Sequence, residues 1–588
     1  MNTNSETHVS PSKLTCFKNI SDYFKQDFNK VVPLCFLLNF ILFLPVLFPT
    51  LNDIYCWDTS LYINNGRLLV DKGIFPMFAS NPLVGFLFAV TYIPIQDTTF
   101  WLVHSYTFGL IILFTLMWIS ACLVSKQLSY LAPPIIVVGI FLLSPALRFL
   151  LMNPTDALFA AMSAFALWQV LLFYHQNKIK HLWLASFFMA LAALSRNDGL
   201  VCFVILVFLA IILNLRKKRS GLSPSSLTHS LVAVILPFAI IVGGYMIFYG
   251  LNTGKFRPGI MERTYLAFEQ GQGFIYGASP QNGMIVARRL FGDPQKNQYS
   301  VLNAIKRNPE AFLDRVRHIL QKFPFRTICS MYGGHQLGLI FILLAALGII
   351  DIARKKLYLL LLILLFWPAY LFVYFITFFR GGYFLLSYYI IFFLIAVGLR
   401  SVIFNLNKKI LCFWSVVLFG LAVWGMLDDS SYLFLEALFF MVALWILQFT
   451  MNHYRGIKLI KPLGLLMVFC FALFMQKDRI EQRFRNLGTA PNEQAVLFMR
   501  DHLRPGSLVM AYWPREVFCA KMTFEPLNYT QYQDMDEHAL TNAFDVLKIN
   551  GFFINKAFRT EYPKVWTNLQ KMIGKRLEVA FTSVVRLK

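Results

Sequence analysis

RKKRSGLSPSSLTHSLVAVILPFAIIVGGYMIFYG, residues 216–250, decides what kind of molecule this is. Four consecutive basic residues and a short polar stretch lead into an uncharged apolar run over 229–250. About twenty such residues, coiled as a helix at about 1.5 Å per residue, cover the hydrocarbon thickness of a bilayer. Runs of similar character recur near 33–51, 100–123, 128–145, 155–174, 182–195, 199–215, 337–353, 357–378, 383–400, 410–427, 431–450 and 462–476. Of 588 residues, 57% are apolar, 14% are charged and 60 are Phe, a balance that would leave large apolar patches exposed in water. The expected fold is an all-α polytopic membrane protein of about 13 transmembrane helices with a small C-terminal α/β soluble domain.

The basic residues orient the spans, because Lys and Arg accumulate in short cytoplasmic loops. With the N-terminus inside, that side collects Lys13 to Lys30, Lys126, Lys178, Lys180, the run 216–219, Arg354 to Lys356, Arg400, Lys408, Lys409, Arg455, Lys458 and Lys461. The short opposite loops hold Arg67, Lys72, Arg148, Arg196 and Arg380. The expected domains are a cytoplasmic segment 1–32, a transmembrane domain 33–476 with outer loops at 52–99 and 251–336, and a soluble domain 477–588 on the outer side. The pair 182–195 and 199–215, joined only by SRNDG, also reads as a single re-entrant hairpin.

The net charge of +24 is spread over these clusters rather than gathered into one basic stripe, so it reads as topology and membrane-surface contact, not nucleic-acid binding. Nine cysteines are scattered singly, without metal-ligand spacing, and the default is buried free thiols. The first apolar run lacks a small-residue cleavage site and reads as an uncleaved span.

Outside the bilayer, NDIYCWDTSLYINNGRLLVDKGIFPMF (52–78) places Asp58, Tyr62 and Asn65 at helical spacing, with Gly73 and Pro76 closing the segment. NPEAFLDRVRHILQKF (308–323) predicts a helix with Asn308 as N-cap and Pro309 at its first position. Its apolar stripe is Phe312, Val316, Ile319, Leu320 and Phe323, with Arg315, Arg317 and Lys322 off it, which suits a helix resting among lipid headgroups. The tail alternates helix-like and strand-like segments: 492–503, 507–513, 537–549, 552–554 and 575–588. It carries no dinucleotide fingerprint and no P-loop.

Ionisable residues at loop–membrane junctions are costly to keep and are the first functional candidates. These are Asp58, Asp156, Arg148, Arg196, Asp198 and Arg380. A carboxylate can take the proton of an acceptor hydroxyl or amine, and Arg supplies paired donors for a phosphate leaving group. The plainer reading of each is a helix cap, a solvated charge or a snorkelling side chain, with Arg196 and Asp198 pairing across their turn and Asp156 a first-turn acid favoured by the helix dipole. Glu436 reads as structural, and so do His104 and His335, which lack a partner at metal-ligand spacing.

The order of these motifs resembles the GT-C glycosyltransferases, which include the protein O-mannosyltransferases and the bacterial lipid A aminoarabinose transferases. Their first outer loop carries an acid, an aromatic four residues on, then Gly and Pro, matched here by Asp58, Tyr62, Gly73 and Pro76. Asn153-Pro154-Thr155-Asp156 is similar to the acid-bearing second-loop segment, and Arg196 with Gly199 to the Arg-x-x-Gly turn. The late Arg-Tyr motif is interrupted, as Arg380-Gly-Gly-Tyr383, and Thr59 stands where a second acid would follow Asp58. The resemblance implies a polyprenyl-phosphate sugar donor and a lipid, glycan or protein acceptor. It implies Asp58 as general base or acceptor-orienting group, Asp156 as a second catalytic acid placing the acceptor, and substrate contacts from Tyr62, Arg148, Arg196, Arg380 and Tyr383. No metal-ligand set is assigned, although some members of the family use a divalent metal. A bacterial inner membrane, with the site facing outward, is the expected location.

Two other classes stay open. A lipid-linked glycan flippase would show internal repeats and mid-membrane charges, which the sequence lacks. An O-antigen ligase would gather late-loop Arg and His residues, for which Arg263, Arg288, Arg289, His318 and His335 stand.

Overall fold

The computed structural model describes, besides isolated positions such as Tyr374, residues 57–73, 81–96, 101–129, 153–219, 227–253, 261–275, 280–330, 337–371, 385–404, 408–427, 493–511, 520–526, 535–554, 563–572, 577–581 and 584–587. The described chain is dominated by helices. Where the sequence predicts spans, the helices are α3 (Trp101–Gln127), α4 (Pro154–Gln176), α5 (Lys180–Ser195), α6 (Asp198–Arg219), α7 (Leu227–Thr253), α12 (Leu337–Arg354), α13 (Tyr358–Phe366), α14 (Leu385–Phe404) and α15 (Lys408–Leu427). Among the described residues, four helical stretches are long and apolar enough to cross a membrane: Val103–Gln127, Pro154–Gln176, Asp198–Leu215 and Leu227–Leu251. The expected spans at 33–51, 128–145, 431–450 and 462–476 lie wholly or mostly outside the described residues.

The chain divides into two compact units. One comprises residues 1–42, 113–150 and 155–482, and the other 43–112, 151–154 and 483–588. In the first, α4 is buried along almost its whole length, as suits a helix apolar all round, whereas α7 leaves Val232, Ile235, Ile240, Ile247 and Leu251 exposed. Such exposure is what a lipid-facing helix requires. The segment 180–219 forms two helices, α5 and α6, closed by an extended Arg196. A Cβ on Gly199 would collide with the backbone of Ala192 and Ala193, so the hairpin needs glycine there. Helices α12 and α14 cross at two glycines, Gly348 facing the Leu394 carbonyl and Gly398 facing that of Leu344. After Phe366 the chain tightens into a 3-10 turn, Trp367–Leu371, where Pro368 has no amide to give to an α-helical ladder.

Between α7 and α12 lies a group of four helices: α8 (Met261–Ile275), α9 (Pro280–Phe291), α10 (Val301–Arg307) and α11 (Pro309–Ser330). They share a core of Tyr265, Phe268, Ala287, Phe291 and Ala304. Asn308 caps α11 as its sequence predicts, accepting from the Ala311 amide at 3.0 Å. The helical stripe drawn from sequence needs correcting. Arg315 is fully buried, its guanidinium 4.6 Å from the Phe268 ring centroid and Nη1 donating to the Phe268 carbonyl at 2.8 Å, while Leu313 and Leu320 are exposed. Ile319 and Phe312 pack inward, so part of the stripe has a protein partner.

In the second unit, α1 (Trp57–Lys72) packs on α2 (Pro82–Tyr92), where a Cβ on Gly66 would strike the backbone of Phe88 and Ala89. Gly73, at φ +63°, closes α1 in the left-handed conformation that favours glycine. The C-terminal part holds α16 (Glu493–His502), β1 (Leu508–Ala511), β2 (Thr523–Pro526), α17 (Glu537–Leu547), β3 (Gly551–Phe553), α18 (Pro563–Met572), β4 (Leu577–Phe581) and β5 (Val584–Leu587). The sheet order is β2-β1-β3-β5-β4, parallel across the first three strands and antiparallel across the rest. Met510, Leu540, Phe544, Phe552, Val565 and Leu569 form its core. Asp536 caps α17 by accepting from the Ala539 amide at 2.8 Å. The sequence reading did not foresee β2, an edge strand that tolerates Pro526, or the amphipathic α18.

Candidate functional site

Asp156 lies in the first turn of α4 and is 2% exposed. Arg196, at the turn between α5 and α6, donates to it through Nη1 and to Asp198 through Nε at 2.7 Å. The Tyr374 hydroxyl donates to Asp198 at 2.6 Å and lies 3.4 Å from Arg196 Nη2. All three guanidinium nitrogens are therefore committed within the protein, which suits Arg196 to organising two carboxylates more than to gripping a phosphate.

Two acceptor atoms at this cluster are left over. Among the described residues, Asp156 Oδ2 and Asn197 Oδ1 are buried with no hydrogen-bond partner, although Asn197 Nδ2 reaches Thr264 Oγ1 of α8 at 3.4 Å. A buried acceptor without a donor costs about 1–3 kcal/mol, so its persistence needs an explanation. An acceptor substrate's hydroxyl or amine is the kind of group that would satisfy a carboxylate oxygen.

Sequence reasoning found Asp156, Arg196 and Asp198. It missed Tyr374 and Asn197: one is a single Tyr among 25, and the other sits in a turn read for its charges. Asp58 stands in the first turn of α1, but its side chain lies outside the described residues, as do Arg148, Arg263, His335, Arg380, Tyr383 and Glu436. Tyr62 is buried within α1's unit.

In that unit Arg67 makes a second polar cluster. Its Nε donates to Asp71 Oδ2 at 3.1 Å, Nη1 to the Met522 carbonyl at 3.2 Å and Nη2 to that of Lys521 at 3.4 Å. Tyr92 also donates to Asp71 Oδ2, at 3.1 Å. Burial, reinforced by the Asp71 charge, pushes the Tyr92 phenol up to about 12, so it remains a donor across physiological pH.

Of the residues that would serve a ligase, Arg288 and His318 have structural partners here. Arg288 Nε pairs with Glu269 at 3.0 Å, and His318 Nδ1 lies 3.3 Å from the Asp314 carbonyl of its own helix. Among the described residues no group of three His, Cys, Asp or Glu is placed to hold a metal ion.

No protein-family model matches the chain, and no curated protein matches it. Its fold is similar to that of ArnT from Cupriavidus metallidurans. The apo structure of that protein aligns at a TM-score of 0.53 and 12% identity, covering 93% of this chain and 97% of that one. A second structure, bound to undecaprenyl phosphate, aligns at 0.51 and 11% identity, covering 95% and 98%.

Proposed function

We propose that the protein is a GT-C-type membrane glycosyltransferase that moves a sugar from a polyprenyl-phosphate donor to a lipid, glycan or protein acceptor. The observation that carries this reading is the likeness of fold, over nearly the whole of both chains, to ArnT, a lipid A aminoarabinose transferase solved also with undecaprenyl phosphate. The donor's prenyl tail would stay in lipid while its phosphate and sugar reach the ends of the spans. The positive-inside distribution of the basic clusters supports chemistry at the non-cytoplasmic face.

In this reading an acceptor hydroxyl or amine attacks the anomeric carbon of the sugar. The new bond forms as the bond to the phosphate oxygen breaks, and the polyprenyl phosphate leaves with the electron pair. Asp58 takes the acceptor's proton, and Asp156, held by Arg196, orients the acceptor through its free oxygen. Arg148, Arg380 and Tyr383 are the candidates for the leaving phosphate and the sugar.

The test is purified protein in lipid nanodiscs, incubated with a panel of radiolabelled polyprenyl-phosphate sugars and with lipid, glycan and peptide acceptors. Release of polyprenyl phosphate together with labelled acceptor is expected. Failure with every donor, joined to movement of an intact lipid-linked glycan across proteoliposomes, would replace the reading with a flippase.

A further inference from the structure

Arg67 ties the helix that carries Asp58 to the C-terminal part of the chain. Arg67 lies nine residues beyond Asp58 on α1, about 14 Å along the axis at the helical rise. Its guanidinium is spread over four partners. Nε goes to Asp71 on its own helix, the face lies 4.9 Å from the Trp101 ring centroid, and the two terminal nitrogens donate to the carbonyls of Met522 and Lys521. Those carbonyls belong to the turn that enters β2. Their backbone is fixed independently: Lys521 is left-handed at φ +59°, its carbonyl also accepts from the Gly506 amide at 3.1 Å, and the Met522 amide donates to Val517 at 3.0 Å.

The arrangement has features of a fixed anchor. Arg67 is only 13% exposed in its side chain, its ion partner Asp71 is held from a second helix by Tyr92, and both domain-side acceptors are backbone atoms that any sequence would supply. Arginine suits such a clasp because its planar fork spreads five N–H donors over three nitrogens, whereas the three donors of lysine share a single nitrogen. Helix α1 is unbroken from Trp57 to Lys72, so what fixes Arg67 also limits where the Asp58 end can stand.

We propose that Arg67 is a positioning residue: through its clasp on Lys521 and Met522 the C-terminal domain buttresses α1 and sets the place of Asp58 for proton transfer. This rests on the reading of Asp58 as the base. A misplacement of the order of 1 Å costs transfer roughly 10²-fold without weakening the donor's hold.

The experiment uses the full chain in nanodiscs, comparing wild type, Arg67→Ala and Arg67→Lys by amide exchange over residues 505–526, donor-binding stoichiometry and steady-state transfer. In Arg67→Ala, exchange at 521–526 should quicken and kcat should fall roughly 10- to 100-fold. The donor's KM and its binding stoichiometry should hold, and Arg67→Lys should recover part of the rate. Retained stoichiometry separates mispositioning from a loss of folded protein, and where Arg67→Ala does not fold, the same comparison is made with Arg67→Lys. Unchanged exchange would show that there is no clasp, and faster exchange with full kcat would show a clasp that positions nothing; either overturns the proposal. Wild-type protein protected at 521–526 yet inert toward every lipid donor would bring down the functional reading and the positioning role with it, while leaving the clasp as a structural tie.

Discussion

Arg196 holds Asp156 across forty residues of chain, joining the start of α4 to the turn between α5 and α6. The same guanidinium also pairs with Asp198, so one cation serves two carboxylates and one of the two is almost fully buried. Removing one partner of a buried pair leaves an uncompensated charge, at a cost of about 3–5 kcal/mol. Arg196→Ala should destabilise the protein by that order, measured by thermal or denaturant unfolding in detergent. Arg196→Ala combined with Asp156→Asn should recover part of the loss, since the more buried of the two stranded carboxylates is then neutral. Additive losses in the double variant would mean the pair contributes no coupling.

The crossing of α12 and α14 leads to a second test. Because Gly348 and Gly398 each face a carbonyl of the opposite helix, even a methyl group forces the backbones apart. Gly348→Ala and Gly398→Ala should each destabilise by about 1–3 kcal/mol, the range for overpacking a tight contact. Their double variant should cost less than the sum, because the first methyl already opens the crossing. Gly420→Ala, with nothing within 4 Å of its Cβ among the described residues, is the control and should leave the melting temperature unchanged or slightly raised.

Much of the helical layout was legible because a long apolar run is a strong sequence signal. Interruptions were less legible. The run 357–378 reads as one span, but α13 gives way at Trp367 to a 3-10 turn around Pro368, which contains Tyr370 and precedes Tyr374. The acids and Arg196 stood out as charges in apolar surroundings. Their partnership did not, because it depends on how α4 meets the α5–α6 turn, a long-range relation with no local pattern. Arg315 shows the same limit in reverse. A helical wheel places it off the apolar stripe, yet the ring and carbonyl of Phe268 and the Gln272 side chain receive it inside.

Glu269 on α8 should make the helices of 261–330 sensitive to pH. Burial raises its carboxyl above the ordinary value of 4.5, the hydrogen bond and charge of Arg288 pull it back, and Asp293 adds to the rise. A folded-state value above the unfolded one means the folded protein holds the proton more tightly. The stability from this group is full below the ordinary carboxyl value and is lost as pH rises through the raised one. Amide exchange in α8, corrected for its intrinsic pH dependence, should therefore show more protection at pH about 5 than at pH about 7.5. Glu269→Gln keeps an acceptor for Arg288 and should flatten that difference; an identical pH response in the variant would assign it to another group.

The last prediction concerns Asp58, which the motif order marks and which opens α1. Asp58→Asn keeps the size of the side chain and its hydrogen-bonding reach but removes the charge and the capacity to accept a proton. If Asp58 is the base, transfer should fall by about 10²–10⁴-fold, the range for losing general-base catalysis. The donor's KM should change little, since binding and proton transfer are separate demands on the site. Asp53→Asn, five residues earlier and outside the Asp-Tyr-Gly-Pro spacing, should be mild. Asp156→Asn should raise the acceptor's KM as well as lower kcat, because its free oxygen is assigned to orienting the acceptor. The three variants therefore separate base, acceptor-orienting acid and bystander by kinetics alone. An Asp58→Asn enzyme retaining more than about a tenth of wild-type transfer, well above the general-base range, would remove Asp58 from the chemistry and leave Asp156 as the acid to test next.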